Sequence, residues 1–160
     1  KTIKLHTAHH LLLAGLQAVI GPSVKQRGSN ITEDRLRMDF LCDHKLTDEE
    51  KKKVEDWVND KIKMKLEVIR RELPLHLAEK IGAEMEFGAK YPDIVSVYFI
   101  GPREKQYDAI SKELCGGPHV TNTAELYSSS RDYSREGGPF KILKEEAVAQ
   151  GIRRIKAALI

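Results

Sequence analysis

Ala and Leu dominate residues 6–20, and Gly21-Pro22 interrupts them, a pattern that predicts a helix. Residues 24–40 read as two extended stretches broken at Gly28-Ser29-Asn30, a hairpin-like turn signal. Leu36, Met38 and Phe40 alternate with Arg37 and Asp39, as on a half-buried strand. Thr47 opens the clearest helix. With Glu50 it spells a capping box, and acidic residues fill the first turn. Val54, Trp57, Val58, Ile62, Leu66 and Ile69 then recur on one stripe, predicting a long amphipathic helix with lysines on its other face. Pro74 starts a shorter helix that runs to Ile81 and ends at Gly82. The β-branched and aromatic run at 94–100 predicts a strand, and 140–143 and 153–159 further strands that close the sheet. Gly116-Gly117-Pro118 makes a tight loop, and the Ser-, Arg- and Gly-rich stretch 127–138 a mobile one. With no repeat, low-complexity tract or domain boundary, residues 1–160 read as one domain.

Composition adds limits rather than an identity. A chain of 160 residues with 41% apolar and 32% charged residues suits a soluble globular fold with a buried core. The formal charge of +3 is compatible with nucleic-acid binding without requiring it. Two cysteines, Cys42 and Cys115, make no disulfide framework, so a reducing, cytoplasmic location is expected. No apolar run approaches the ~18 residues of a membrane span, and no signal-peptide pattern is present. The start at Lys1 and the stop just after the last predicted strand suggest a trimmed chain or an excised domain.

Two short spacings carry the candidate chemistry. His6 and His10 stand one helical turn apart and leave the same face. Cys115 and His119 form a C-x3-H pair about a hundred residues later. One thiolate and three imidazoles are the donors zinc prefers, so the four together predict a Zn2+ site. His9 is a rival partner for His6. Four protein ligands would close a tetrahedral site, whereas three would leave a position open, and the spacing is compatible with either. Glu113 is the carboxylate nearest the second pair, a candidate general base or amine-recognising group. Asp39 is either an orienting partner for a ligand histidine or a sheet-surface carboxylate. Cys42 reads as a small buried hydrophobe, His44 and His76 as surface residues, and Trp57 as core. Lys25, Arg27, Arg35, Arg37, Arg153 and Arg154 form either a phosphate-contacting rim or solvated strand faces. No P-loop motif is present.

Several blocks of the chain, in order, resemble the editing domain of alanyl-tRNA synthetases. They are His6-Thr7-Ala8-His9-His10-Leu11-Leu12, Val24-Lys25-Gln26-Arg27-Gly28-Ser29, Asp34-Arg35-Leu36-Arg37-Met38-Asp39-Phe40, Leu46-Thr47-Asp48-Glu49-Glu50, Ser111 to Val120, and Gly151-Ile152-Arg153-Arg154-Ile155. The chain departs from that pattern at Pro118, at Thr123-Ala124-Glu125, and in the length of 127–138. The resemblance implies an α+β fold, an antiparallel sheet packed against helices, with a zinc site in a cleft. It implies His6, His10, Cys115 and His119 as metal ligands. It also implies hydrolysis of serine or glycine wrongly esterified to tRNA(Ala), with the acceptor end of that tRNA and the remaining synthetase domains as partners. Gln26 then belongs to the pocket, holding substrate or a water through its amide. Thr7, beside His6, either meets the serine hydroxyl or serves helix packing; Gly116 and Gly117 are placed to line the substrate path, and Arg27, Arg35 and Arg37 to touch tRNA. A second site of this kind makes physical sense, because a small synthesis pocket rejects an added hydroxyl by only about 10²-fold. Three other functions fit the same residues: a free-standing deacylase acting in trans, a threonyl-tRNA editing domain, and a zinc-stabilised module that grips tRNA without hydrolysis.

Overall fold

The computed structural model describes residues 2–86, 88–101, 109–127 and 137–160. Helix α1 spans Thr2–Val19 and is apolar around most of its girth, with Leu5, Ala8, Leu11, Leu12, Leu13 and Leu16 all buried. Such a helix needs neighbours on several sides. A four-stranded antiparallel sheet supplies one, and helix α2 (Asp48–Lys63) another. Gly15 lets the two helices approach closely, since a Cβ there would lie 3.0 Å from the Trp57 ring and 3.3 Å from Val58.

Strands β1 (Gln26–Ile31) and β2 (Leu36–Leu41) pair as a hairpin. Its turn is not at Gly28-Ser29-Asn30, as the sequence suggested, but at residues 32–35. There the Thr32 hydroxyl accepts hydrogen bonds from the Asp34 and Arg35 backbone N–H groups, and the Thr32 N–H donates to the Arg35 carbonyl. Gly28 instead follows a bulge between Gln26 and Gly28.

The capping box at Thr47 forms as the spacing predicts, with both reciprocal bonds at 3.0 Å. The buried face of α2 carries Val54, Val58, Asn59 and Ile62. The helix ends sooner than the apolar stripe implied. Lys65 adopts a left-handed φ of 53°, and the chain turns into strand β3 (Glu67–Pro74). Leu66 and Ile69 therefore match helical spacing without being helical.

Helix α3 (Leu75–Lys80) follows directly, with Pro74 at its N-cap. Strands β4 (Ile94–Gly101) and β5 (Ser111–Leu114) complete a three-stranded antiparallel sheet in the order β3-β4-β5, over a second, smaller core. The sequence suggested one sheet; the described residues form two. The first runs β1-β2-β7-β6, where β6 is Phe140–Ala149 and β7 is Ile152–Leu159. Strand β6 continues past the apolar stretch 140–143 because Lys144, Glu145 and Glu146 still pair with Lys156, Ile155 and Arg154. Charged residues on an edge strand hide its strand character from an apolar pattern. Asn59 fixes the start of β6, donating to the Phe140 carbonyl at 3.0 Å and accepting from its N–H at 2.8 Å. Of the loop expected at 127–138, residues 128–136 lie outside the described part of the chain. Among the described residues no helix is long and apolar enough to cross a membrane.

Candidate metal centre and cleft

The first turns of α1 and the loop after β5 meet, and they bring the two predicted donor pairs together. Donor atoms of His6, Cys115 and His119 all lie within 4.8 Å of one another. The rings of His6 and His119 stack at 4.9 Å with an interplanar angle of 8°. Nε2 of His119 lies 3.3 Å from Sγ of Cys115, and the Gly117 N–H donates to that sulfur at 3.4 Å. His10 stands beside this group rather than inside it. Its ring centroid is 4.2 Å from that of His119 and 6.1 Å from that of His6.

The loop is pinned at both ends. The Cys115 N–H donates to the Ser96 carbonyl on β4, and the Thr121 carbonyl accepts from Val68 on β3. Gly117 has no room for a side chain, because a Cβ would sit 2.3 Å from Cε1 and 2.7 Å from Nδ1 of His6. A Cβ at Gly116 would meet nothing within 4 Å among the described residues. The two glycines expected along a substrate path thus differ: both line the cleft, but Gly117 is a cradle for an imidazole.

Burial governs the ionisation of the cluster. It pushes the imidazoles down, to about 4 for His9, about 3 for His10 and about 2 for His119, with the neighbouring histidines adding to the effect. All three are neutral at pH 7, the form that ligates a metal. Burial pushes the Cys115 thiol up. A metal bound here must displace that proton, so affinity will rise with pH. The donor set fits zinc: one sulfur, and imidazoles of which His119 is held neutral.

Nδ1 of His10 lies 2.9 Å from Oε2 of Glu113, out of line for a hydrogen bond, and neither atom has another partner among the described residues. Burial pushes the Glu113 carboxyl up to about 7. Glu113, Cys115, His6, His9 and His10 line one side of a cleft of about 320 Å³. Gln26, Ser29 and Ile31 of β1 line another, and Glu84, Met85, Glu86 and Tyr91 a third. Gln26, Ser29 and Ile31 pair with Phe40, Met38 and Leu36, whose side chains are fully buried, so this part of β1 faces inward. His9, the alternative ligand, is buried, its Nε2 has no partner among the described residues, and it stands outside the 4.8 Å group.

Other predicted residues fall elsewhere. Thr7 does not reach the cleft. It is fully buried, and its hydroxyl is engaged with His119, Val120 and Ile3, so it cannot meet a substrate hydroxyl. Asp39 does not orient a histidine. Arg154 clasps it with two bonds of 2.7 and 3.0 Å, which holds its carboxyl below the usual range. Arg37 lies 3.8 Å from the same carboxylate and pairs with Lys156 across the strands, on the sheet face opposite Met38 and Phe40. Arg37 and Arg154 are therefore not on the rim of the cleft. Arg153 is bound to the buried Glu145. Arg35 sits at the hairpin turn against Asn30, Arg27 follows Gln26 on β1, and Lys25 pairs with Glu84.

Sequence reading missed Glu84, Glu86, Tyr91 and Tyr98. The Glu84 segment has no strand pattern, yet it joins β5 through a parallel bridge to Glu113. Tyr98 packs its ring 4.2 Å from that of His119. A second group of metal-type donors, Cys42, Asp43 and His44, also lies within 4.8 Å. There the His44 ring is held between Asp43 at 2.6 Å and Glu50 at 2.9 Å, and these carboxylates raise its pKa, so it favours a proton over a metal. The two cysteines are both free thiols.

Residues 95–128 match the family described as threonyl and alanyl tRNA synthetase second additional domain. The whole chain is 52% identical, over 160 residues, to an alanine–tRNA ligase of Borrelia hermsii, of which it covers 24%. It is 45% identical over 159 residues to that of Treponema denticola, covering 99% of the chain and 24% of the ligase. To that of Listeria monocytogenes it is 42% identical over 157 residues, covering 98% of the chain and 16% of the ligase. The chain thus spans about a quarter of the length of the first two relatives.

Proposed function

We propose that this chain, whose residues 95–128 match the threonyl and alanyl tRNA synthetase second additional domain and whose whole length is 52% identical to part of an alanine–tRNA ligase, is the editing domain of an alanyl-tRNA synthetase. It hydrolyses the ester of serine or glycine mischarged on tRNA(Ala), at a zinc centre held by His6, His10, Cys115 and His119 or by three of them. The observation that carries the reading is the meeting of His6 with Cys115 and His119 within 4.8 Å, beside a polar cleft. Zinc there supplies Lewis-acid polarisation of an ester carbonyl.

The chain's own residues have distinct tasks. His10, whose ring stands next to that of His119, is the candidate fourth ligand, and the Glu113 carboxylate lies 2.9 Å from its Nδ1. Glu113 also lines the cleft, where a carboxyl titrating near neutrality is suited to take a proton from water or to meet the amine of the substrate. Gln26 faces it from β1, and its amide can both donate to and accept from the ester or an attacking water. Arg27 and Arg35, on and next to the strand that carries Gln26, are the arginines assigned to tRNA phosphates. The matched stretch is a minor part of each longer ligase, which supports editing in cis with the remaining synthetase domains as partners.

The test is deacylation of seryl-, glycyl- and alanyl-tRNA(Ala), with and without a chelator. Serine and glycine esters should be cleaved faster than alanine, and chelation should abolish the difference. Cys115→Ala should lose zinc. Equal rates on all three esters, or none, would favour a tRNA-gripping module without hydrolysis.

A further inference from the structure

Thr7 is a threonine with no free hydroxyl, placed one residue after a proposed ligand and 112 residues before another. A hydroxyl has one hydrogen to give and two lone pairs to receive. Three groups surround this one. The Val120 N–H, at 3.3 Å, can only donate. The Ile3 carbonyl, at 3.4 Å, can only accept, in the i−4 pattern common for threonine in helices. Nδ1 of His119, at 3.0 Å, can do either, depending on its tautomer. If the hydroxyl gives its hydrogen to Ile3 and one lone pair to Val120, the lone pair that remains requires a hydrogen on Nδ1. All three contacts are then satisfied. The other tautomer loses the Ile3 bond and places a hydrogen on Nε2, the nitrogen 3.3 Å from Cys115 Sγ.

We propose that Thr7 is a positioning residue for the metal centre: its hydroxyl holds His119 in the tautomer with the proton on Nδ1, leaving Nε2 as the ligating atom. This rests on the zinc reading above, and it gives His119 the hydrogen-bonded outer partner that ligating histidines characteristically have. The buried 0% exposure of Thr7 explains why the hydroxyl serves the ligand and not the substrate.

Two measurements test it. Ring ¹⁵N shifts of His119 in the zinc-free wild-type chain report the tautomer without any substitution. A hydrogen on Nδ1 supports the proposal, and a hydrogen on Nε2 overturns it. Zinc affinity, by competition with a chromophoric chelator, is then compared for Thr7→Val and Thr7→Ser. Loss of an outer partner typically costs about 10- to 100-fold in metal affinity, so Thr7→Val should bind zinc that much more weakly, while Thr7→Ser should stay near wild type. Wild-type affinity in Thr7→Val overturns the proposal, as does equal loss in both variants. A wild-type chain that binds no zinc would instead defeat the zinc reading, and the tautomer would still decide the role of Thr7.

Discussion

Gly117→Ala is the sharpest perturbation the site offers, because it adds one methyl group at a place where the geometry forbids it. The new carbon would stand 2.3 Å from Cε1 of His6, where ordinary contact is 3.4–4 Å, so the ring or the loop must retreat by about an ångström. The ring is already stacked on His119 at 4.9 Å, and the loop is tied to Ser96 and Val68. Either movement separates His6 from Cys115 and His119. Overpacking of this size costs about 1–3 kcal/mol. If the cost falls on the metal-bound arrangement, zinc affinity should drop by about 5- to 150-fold. Gly116→Ala is the matched control, since its added methyl meets nothing within 4 Å. Chelator competition and the rise in unfolding temperature on adding zinc should both separate the two variants. Equal affinities for Gly117→Ala and Gly116→Ala would refute the idea that this loop is shaped around an imidazole.

Gln26→Ala should slow deacylation by about 5- to 150-fold, from the loss of a hydrogen bond worth about 1–3 kcal/mol, with zinc content and thermal unfolding nearly unchanged; an intact rate would remove Gln26 from the pocket. The Asp39 carboxyl is held below its ordinary pKa by Arg154, so its contribution is complete above its unfolded value of 3.8 and fades as pH falls through the lower folded value. Urea unfolding between pH 6 and pH 2 should therefore show a shallower acid limb in Asp39→Asn than in wild type, and parallel curves would contradict the assignment. Asn59→Ala leaves the Phe140 N–H and carbonyl unpaired in a buried position, and should cost about 2–4 kcal/mol by urea titration at neutral pH; a loss below about 1 kcal/mol would mean water replaces the amide.

The elements with one dominant local signal were readable from the chain, and those with two competing signals were not. Thr47 and Glu50 place a helix start because both halves of the capping box lie within four residues. Residues 94–100 read as a strand because burial on β4 leaves few polar positions to confuse the pattern. Strand β3 was absorbed into the preceding helix, since Leu66 and Ile69 happen to extend a helical stripe. What stops that helix is a left-handed lysine, a conformation for which Lys65 carries no compositional sign. The hairpin turn was misplaced for a related reason. Glycine and asparagine advertise turns, but the Thr32 hydroxyl outcompeted them by capturing two backbone N–H groups. Strand β5 is four residues long and contains Lys112 and Glu113, too short and too charged to show alternation.

The site divides along a different line. His6 with His10, and Cys115 with His119, are each encoded at a spacing that one turn or one tight loop satisfies, and the fold draws His6, Cys115 and His119 within 4.8 Å while His10 stands beside them. Their supporting partners carry no such spacing. Thr7 looked like a substrate contact because it adjoins His6 in sequence, yet the helix turns successive residues about 100° apart, and that rotation delivers its hydroxyl to His119. Asp39 looked like a histidine partner because it is a carboxylate near a proposed site, yet strand pairing sets it opposite Arg154. Spacing thus identifies which atoms have the chemistry to bind a metal. Which nitrogen is free to do so, and how firmly it is aimed, depends on bonds such as Thr7 to His119 that span more than a hundred residues and leave no local trace.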